Sequence, residues 1–311
     1  MTKKIAVTTS SFAQQDAHPL EILKKHELNI TLNERGRTLK QGEILELLKG
    51  CHGVIAGTEI YNKEVLGKLK DLRVISRCGV GTDNIDLEIC KNLEIKVFNT
   101  PDGPTRAVAE LVIGLILNLL RQVNVMDREV RSGVWQKRMG RLFADKEIGI
   151  IGLGRVGREV AQLSNAFGAK VFYYDSFQTQ DSNFPYAIKN KLEDLLSHCD
   201  IISLHIPFTP ETKHFIGRKE LSLMRKSAIV INCSRGGIVD EEALYFALKN
   251  GNLFGAAIDV FDSEPYQGPL WGLKNVILTP HIGSYAQETR LKMELTAVDN
   301  LIKGLRGAGL S

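Results

Sequence analysis

The sequence predicts an α/β protein built from two Rossmann-like, doubly wound parallel-sheet domains with a cleft between them. Three observations predict it. Short apolar runs alternate with amphipathic helical stretches, once from residue 4 and again from residue 147. A glycine-rich turn, GIIGLGRVGREV, joins one apolar run to a helix. At 311 residues the chain suits two domains of about 100–200 residues better than one core.

In the first alternation, KIAVTT, GVIAG and RVISRCG read as strands, and LEILKKHEL, EILELLKG and KEVLGKLKDL as the helices between them. IKVFNTP closes a strand, and Pro101, Gly103 and Pro104 punctuate the chain before a long helix that begins near Thr105. That helix, TRAVAELVIGLILNLLRQV, is apolar nearly all round, as core packing or a position between two domains would require. The second alternation runs EIGIIGLG, KVFYYD, LEDLLSHC, DIISLHIP, AIVINCSRGG, EEALYFALKN, GAAIDVF and NVILTP. Its strands end in loops rich in Gly, Pro, Asp and His, and ligands of open parallel sheets sit beyond those ends. QETRLKMELTAVDNLIKGL is a final helix with no sheet of its own, so it must dock on structure already built. The expected division is a discontinuous substrate domain, residues 1–99 plus 286–311, around a nucleotide-binding domain, residues 100–285.

Composition removes several function classes. With 43% apolar and 24% charged residues the chain is neither disordered nor fibrous. A net charge of +4 with interspersed signs argues against nucleic acid as the main partner and leaves room for a local basic pocket facing a small anion. Cys51, Cys78, Cys90, Cys199 and Cys233 show no metal-ligand spacing and read as buried small hydrophobes in a reducing compartment, so no metal is expected. The N-terminus lacks a signal-peptide apolar core, and the longest apolar run, LVIGLILNLL, is about half of a membrane span. The expectation is a cytoplasmic protein without a membrane partner.

The glycine turn carries the first chemistry. Gly152, Gly154 and Gly157 form G-x-G-x-x-G between a strand and a helix, with Asp175 about 20 residues on, after a second apolar run. Gly152 makes the turn, Gly154 lets the backbone approach a pyrophosphate, and Gly157 lets helix pack on strand. The helix N-terminal amides, from Arg155 and Val156 onward, then take the phosphate charge. Asp175 suits the adenosine ribose hydroxyls and repels a 2'-phosphate, and the following Ser176 and Phe177 bring no cation. NAD is expected over NADP.

Three further loops are weak singly and stronger together. NCSRGG places Arg235 among small residues, where a guanidinium can fork onto a carboxylate. DVFDSEP offers Asp259 and Glu264, and TPHIGS offers His281. All three follow strands of one Rossmann-type domain. A base, a group that orients it and a cation for a carboxylate are what hydride transfer at a 2-hydroxy acid needs.

The ordered set GLGRVG, NCSRGG, DVFDSEP and TPHIGS resembles the D-isomer-specific 2-hydroxyacid dehydrogenase family over nearly the whole chain. Within it, SRCGVGTDNID, NTPDG and LLRQV are most similar to phosphoglycerate dehydrogenases of the short type. The resemblance implies that Arg235 binds the substrate carboxylate and polarises the C2 oxygen, that His281 is the general acid/base, and that Glu264 holds its imidazole and raises its pKa. It places Asp259 at the nicotinamide carboxamide, and His205, Pro207 and Thr212 of HIPFTPET beside the cofactor riboses, with Cys233 and Gly283 also against the cofactor. It carries the substrate loop onto Arg77, Cys78, Gly79, Val80 and Gly81, where the amides of Val80 and Gly81 meet the carboxylate and Arg77 reaches a phosphate. Oxidation needs neutral His281, so activity would rise with pH through its pKa.

MGRLFADKEIG departs from the family pattern, and no function is carried onto it. Arg106 near the hinge would either help bind an anion or cap the helix. Lys137, Arg138 and Arg141 of WQKRMGR would either meet a second anionic group or form a solvated surface. The chain ends soon after its last helix, so the serine-sensing regulatory domains of long phosphoglycerate dehydrogenases are not expected.

The function favoured by the resemblance is NAD-dependent oxidation of a D-2-hydroxy acid, foremost 3-phosphoglycerate to 3-phosphohydroxypyruvate in serine synthesis. Reduction of glyoxylate, hydroxypyruvate or pyruvate is the alternative within the class. The alternative of another class is an NAD-sensing corepressor-like protein, since such proteins keep a similar Arg, Glu and His; the lack of added interaction segments favours the enzyme. The partner is then a small anionic 2-hydroxy or 2-oxo acid, and a homodimer is expected, with LVIGLILNLL offered as its apolar helix.

Overall fold

The computed structural model describes residues 3–176 and 184–309, so Phe177 lies outside the described residues. The chain divides into two compact units, residues 1–104 with 284–311 and residues 105–283. In the first unit the order is β1 (Lys4–Val7), α1 (His18–Lys25), β2 (Asn29–Leu32), α2 (Gln41–Leu47), β3 (Gly53–Ala56), α3 (Lys63–Leu66), β4 (Val74–Arg77), α4 (Leu87–Asn92) and β5 (Lys96–Phe98). The second unit continues with α5 (Thr105–Arg121), α6 (Val123–Arg131), β6 (Glu147–Ile151), α7 (Arg155–Ala166), β7 (Lys170–Tyr174), β8 (Ile188–Lys189), α8 (Leu192–His198) and β9 (Ile201–Leu204). It ends with α9 (Arg218–Leu223), β10 (Ile229–Asn232), α10 (Glu241–Lys249), β11 (Gly255–Ile258) and β12 (Val276–Leu278), and α11 (Gln287–Gly307) returns to the first unit.

Both sheets are parallel and doubly wound. Their orders are β2-β1-β3-β4-β5 and β12-β11-β10-β9-β6-β7-β8, so the direction of travel reverses between β1 and β3 and between β6 and β9. Crevices for ligands open at such reversals, at the C-terminal strand ends. The apolar strands are continuous because both faces are covered. In β3, Val54 and Ala56 pack into one cluster and Ile55 into another, and in β9, Ile201 and Ile202 divide in the same way. Short polar residues start several helices: Asn62 accepts the amide of Val65, Asp86 that of Ile89 and Asp240 that of Ala243.

The final helix α11 lies against β3, β4, β5 and α1 of the first unit, burying Met293, Ala297, Val298, Leu301 and Leu305. Truncating one such leucine to alanine costs about 2–5 kcal/mol. Helix α5 buries Val112, Ile113, Leu115, Ile116, Leu119 and Leu120 in a cluster of its own unit, with Ile148, Ile150 and Val160. Most of the apolar side chains of LVIGLILNLL, the segment expected at a dimer contact, are thus taken up by the unit's own core, with Leu111 and Leu117 only partly buried. A cluster of exposed apolar groups follows at Val134, Trp135, Met139 and Leu142, with Trp135 83% and Met139 93% exposed. Gln122, at φ 52°, separates α5 from α6, and the pair bends by 62°. Among the described residues no single helix is long and apolar enough to cross a membrane.

One surface cluster makes stability depend on acid. Arg37 donates to both carboxylate oxygens of Glu43 at 2.7 and 2.9 Å, the Lys40 amide donates at 2.8 Å, and Arg35 lies at 3.1 Å. Arg37 first, then the Lys40 amide, hold Glu43 down to about 2 from its ordinary 4.5. A depressed carboxylate stabilises the fold above its unfolded pKa and loses that contribution as pH falls through the folded one. Glu43→Gln is therefore expected to lower Tm at neutral pH, with the gap to wild type closing between about pH 4.5 and about pH 2 in thermal melts.

Candidate active site

The glycine turn is built at the reversal point of the larger sheet. Gly152 follows β6 at φ 95°, a region favoured by glycine, and a Cβ there would sit 2.7 Å from the carbonyl oxygen of His205. A Cβ on Gly157 would lie 2.0 Å from the Gly152 oxygen, so helix and turn close only without side chains. Gly154 is the N-cap of α7, with Arg155, Val156 and Gly157 in its first turn. A Cβ at Gly154 would meet nothing within 4 Å, so the head of α7, where amides lack helical partners, is open to a ligand. A dinucleotide pyrophosphate fits that turn. Asp175, just after β7, accepts the Leu153 amide at 2.8 Å, which ties the acid to the turn.

The neighbouring strand end carries HIPFTPET. His205 shares a 2.9 Å hydrogen bond with Ser203, and burial pushes its pKa down to about 3, so the ring is neutral at working pH. Thr212 donates its hydroxyl to the Pro207 carbonyl at 2.7 Å and accepts the Thr209 amide at 2.7 Å, which locks residues 207–212 as a turn. Cys233 after β10 is buried with Ile231 and Ala257, and burial raises its thiol pKa well above the ordinary value. Its side chain is core.

The three remaining loops are braced into one another. Asn232 ends β10; its side-chain oxygen accepts from the amide and hydroxyl of Ser234 at 3.1 and 2.8 Å, and its amide donates to the Arg235 carbonyl at 2.9 Å. Nη1 of Arg235 donates to the Ser234 carbonyl at 2.7 Å. A Cβ at Gly236 would lie 1.9 Å from the Phe261 carbonyl oxygen, so NCSRGG and DVFDSEP meet because that position has no side chain.

His281 lies at φ 56° and its Nδ1 is 2.9 Å from Oε2 and 3.2 Å from Oε1 of Glu264. Oε1 of Glu264 also accepts the Phe261 amide at 3.1 Å, which orients the carboxylate. Asp259 is fully buried, and its two oxygens accept the Thr279 hydroxyl at 2.6 Å and the amides of Ile282 and Gly283 at 2.8 and 2.9 Å. Burial raises its pKa, and the Thr279 and Ile282 hydrogen bonds oppose that. Asp259 thus fixes the turn that presents His281. With Nδ1 engaged by Glu264, the other imidazole nitrogen is the one left for proton exchange.

In the first unit the loop after β4 is held from below. Nη1 of Arg77 donates to the Cys78 carbonyl, and a Cβ at Gly79 would strike the Arg77 guanidinium. The Cys78 amide donates to Ala56 at 2.9 Å, Thr100 donates to Gly79 at 3.0 Å, and Asn99 donates to the Val80 carbonyl at 2.8 Å. Val80 is exposed and Gly81 partly so. Buried Glu59 accepts from Thr8 at 2.8 Å and from the Gly57 amide at 2.9 Å, while Asn84 donates to the Glu59 carbonyl at 2.6 Å. Burial raises the Glu59 pKa.

Three of the four basic residues left open by the sequence, Arg106, Arg138 and Arg141, have side-chain roles in the structure, and Lys137 is exposed. Arg106 bonds Glu110 at 2.6 Å and also pairs with Glu159, Arg138 pairs with Glu129, and Arg141 donates to the Ser227 carbonyl and stacks over Phe254. Sequence reasoning missed Asn232, Thr279 and Glu59. An asparagine closing an apolar strand was the available signal for the first; the other two had no local pattern.

A dinucleotide turn and a carboxylate-held histidine on one doubly wound sheet define a nucleotide-dependent oxidoreductase class. The profile described as "D-isomer specific 2-hydroxyacid dehydrogenase, NAD binding domain" matches residues 113–283. The chain is 38% identical over 276 residues to a D-3-phosphoglycerate dehydrogenase of Methanocaldococcus jannaschii; the match covers 86% of this chain and 52%, about half, of that protein. It is 38% identical over 274 residues to a glyoxylate reductase of Korarchaeum cryptofilum, covering 85% and 82%. Among solved structures it resembles a D-lactate dehydrogenase from Aquifex aeolicus complexed with NAD and lactic acid, with TM-score 0.84 and 28% identity over 99% of this chain and 96% of that one. The chain belongs to the D-isomer specific 2-hydroxyacid dehydrogenase family.

Proposed function

We propose that the protein transfers hydride between NAD and the C2 carbon of a small D-2-hydroxy acid, with Arg235, Glu264 and His281 as its catalytic set. The observation that carries this is the 2.9 Å bond between His281 and Glu264 on a turn fixed by Asp259. NAD, when bound, supplies the hydride acceptor. His281 takes the hydroxyl proton, Glu264 steadies the resulting imidazolium, and Arg235 forks onto the carboxylate and the C2 oxygen. The Val80 and Gly81 amides take the substrate carboxylate.

The resemblance of SRCGVGTDNID favours 3-phosphoglycerate as substrate, which would place the reaction in serine synthesis. A second reading, glyoxylate or hydroxypyruvate, is favoured by Arg77, whose guanidinium is engaged by its own loop at Cys78. Initial rates with matched phosphorylated and unphosphorylated 2-oxo acids decide between them. Failure of every acid despite tight NADH binding would support the corepressor-like alternative. A homodimer formed through the exposed apolar segment at Trp135 and Met139 accompanies this reading.

Asp175 supports NAD over NADP. Asp175→Ala removes both the charge facing a 2'-phosphate and the bond to Leu153. Both cofactors are expected to weaken, while the NADH-to-NADPH ratio of kcat/KM falls by about tenfold or more.

A further inference from the structure

Arg290 and Glu294 stand one turn apart on α11 and are buried, 8% and 4% exposed. Nη2 of Arg290 donates to Oε1 of Glu294 at 2.9 Å, and Oε2 of Glu294 accepts the Ala13 amide at 2.9 Å. Ala13 lies at φ 56° after β1, so this bond fixes a turn that an ordinary residue adopts at a cost. Cys78 packs in the same cluster as Met293 and Ala297 of this helix, the Arg290 charge acts on its thiol, and the Arg290 Cζ lies 5.2 Å from the centre of the Tyr285 ring. Nε of Arg290 is buried without a partner.

Stability does not explain this arrangement. A buried ion pair roughly breaks even with an apolar pair of the same volume, and a buried unpaired N–H adds a cost. The same helix buries Met293, Ala297 and Leu301 at neighbouring positions, so apolar residues pack there readily. What they cannot supply is a fixed cation beneath Cys78. The pair is polarised, with its carboxylate tied to Ala13 and its guanidinium buried on the helix that packs against Cys78, the residue that continues into Val80 and Gly81.

We propose that Arg290 is a positioning residue for anion binding by the 78–81 loop, fixing Cys78 from below and placing a buried positive charge behind the loop amides. This rests on the assignment of that loop to the substrate carboxylate. Glu294 is its anchor to the turn at Ala13.

The test compares Arg290→Met, Arg290→Lys and the double variant Arg290→Met/Glu294→Leu, which leaves no stranded charge. Thermal melts should show the double variant folded. Its KM for the preferred 2-oxo acid should rise by about tenfold with kcat within about twofold and NADH affinity unchanged, and Arg290→Lys should recover most of the loss. Cys78, followed by peptide mass spectrometry, should react with iodoacetamide about tenfold faster in the double variant than in wild type. A wild-type KM in the double variant overturns the proposal, as does an unchanged Cys78 rate. If wild type reduces no 2-oxo acid, the functional reading fails; faster Cys78 alkylation then still upholds Arg290 as the loop's anchor, and an unchanged rate refutes it.

Discussion

Replacing His281 by Ala is expected to lower kcat about 10²–10⁴-fold while NADH affinity stays near wild type. The turn survives the substitution because Asp259 binds it through Thr279, Ile282 and Gly283, none of which depends on the imidazole. His281→Asn is the sharper variant. Asparagine tolerates the left-handed conformation at φ 56° and cannot exchange the proton, so it separates chemistry from backbone strain. Glu264→Gln should also lose activity, because an amide that donates to Nδ1 reverses the tautomer and leaves the other nitrogen protonated. Paired steady-state rates and NADH titrations check all three; retention of kcat in His281→Asn would remove His281 from the chemistry.

The second large effect is expected at Arg235. Loss of a desolvated cation opposite a carboxylate costs about 2–5 kcal/mol, so Arg235→Ala should lower kcat/KM roughly thirtyfold to several thousandfold. Arg235→Lys keeps the charge and loses the fork, and should recover only part. Asn232 and Gly236 keep the turn in place in both variants, so thermal stability should change little. A loss confined to NADH binding would contradict the assigned role.

What the sequence made legible was what local patterning encodes. Alternating apolar runs gave the strands because both sheet faces are covered, and G-x-G-x-x-G with Asp175 marked a turn whose crowding at Gly152 and Gly157 leaves no room for a Cβ. His281 and Glu264, 17 residues apart, were joined through the family pattern; spacing alone said nothing of their 2.9 Å contact. Bracing groups stayed hidden for the same reason. Asp259, expected at the nicotinamide carboxamide, also anchors the His281 turn, through backbone amides that no side-chain pattern records. Arg290 and Glu294 sat in an ordinary i,i+4 pair, the usual sign of a solvated helix face, and only tertiary burial distinguishes them. The apolar helix expected at a dimer contact packs mostly within its own unit, because all-round hydrophobicity signals burial without saying against what.

The most direct measurement of the central claim is isotope transfer. Protein given NADH with both C4 hydrogens of the nicotinamide replaced by deuterium and a 2-oxo acid should deliver deuterium to C2 of a hydroxy acid of D configuration, in wild type and not in His281→Asn. Tight cofactor binding with no deuterium at C2 of any acid offered, or an L product, would contradict the account.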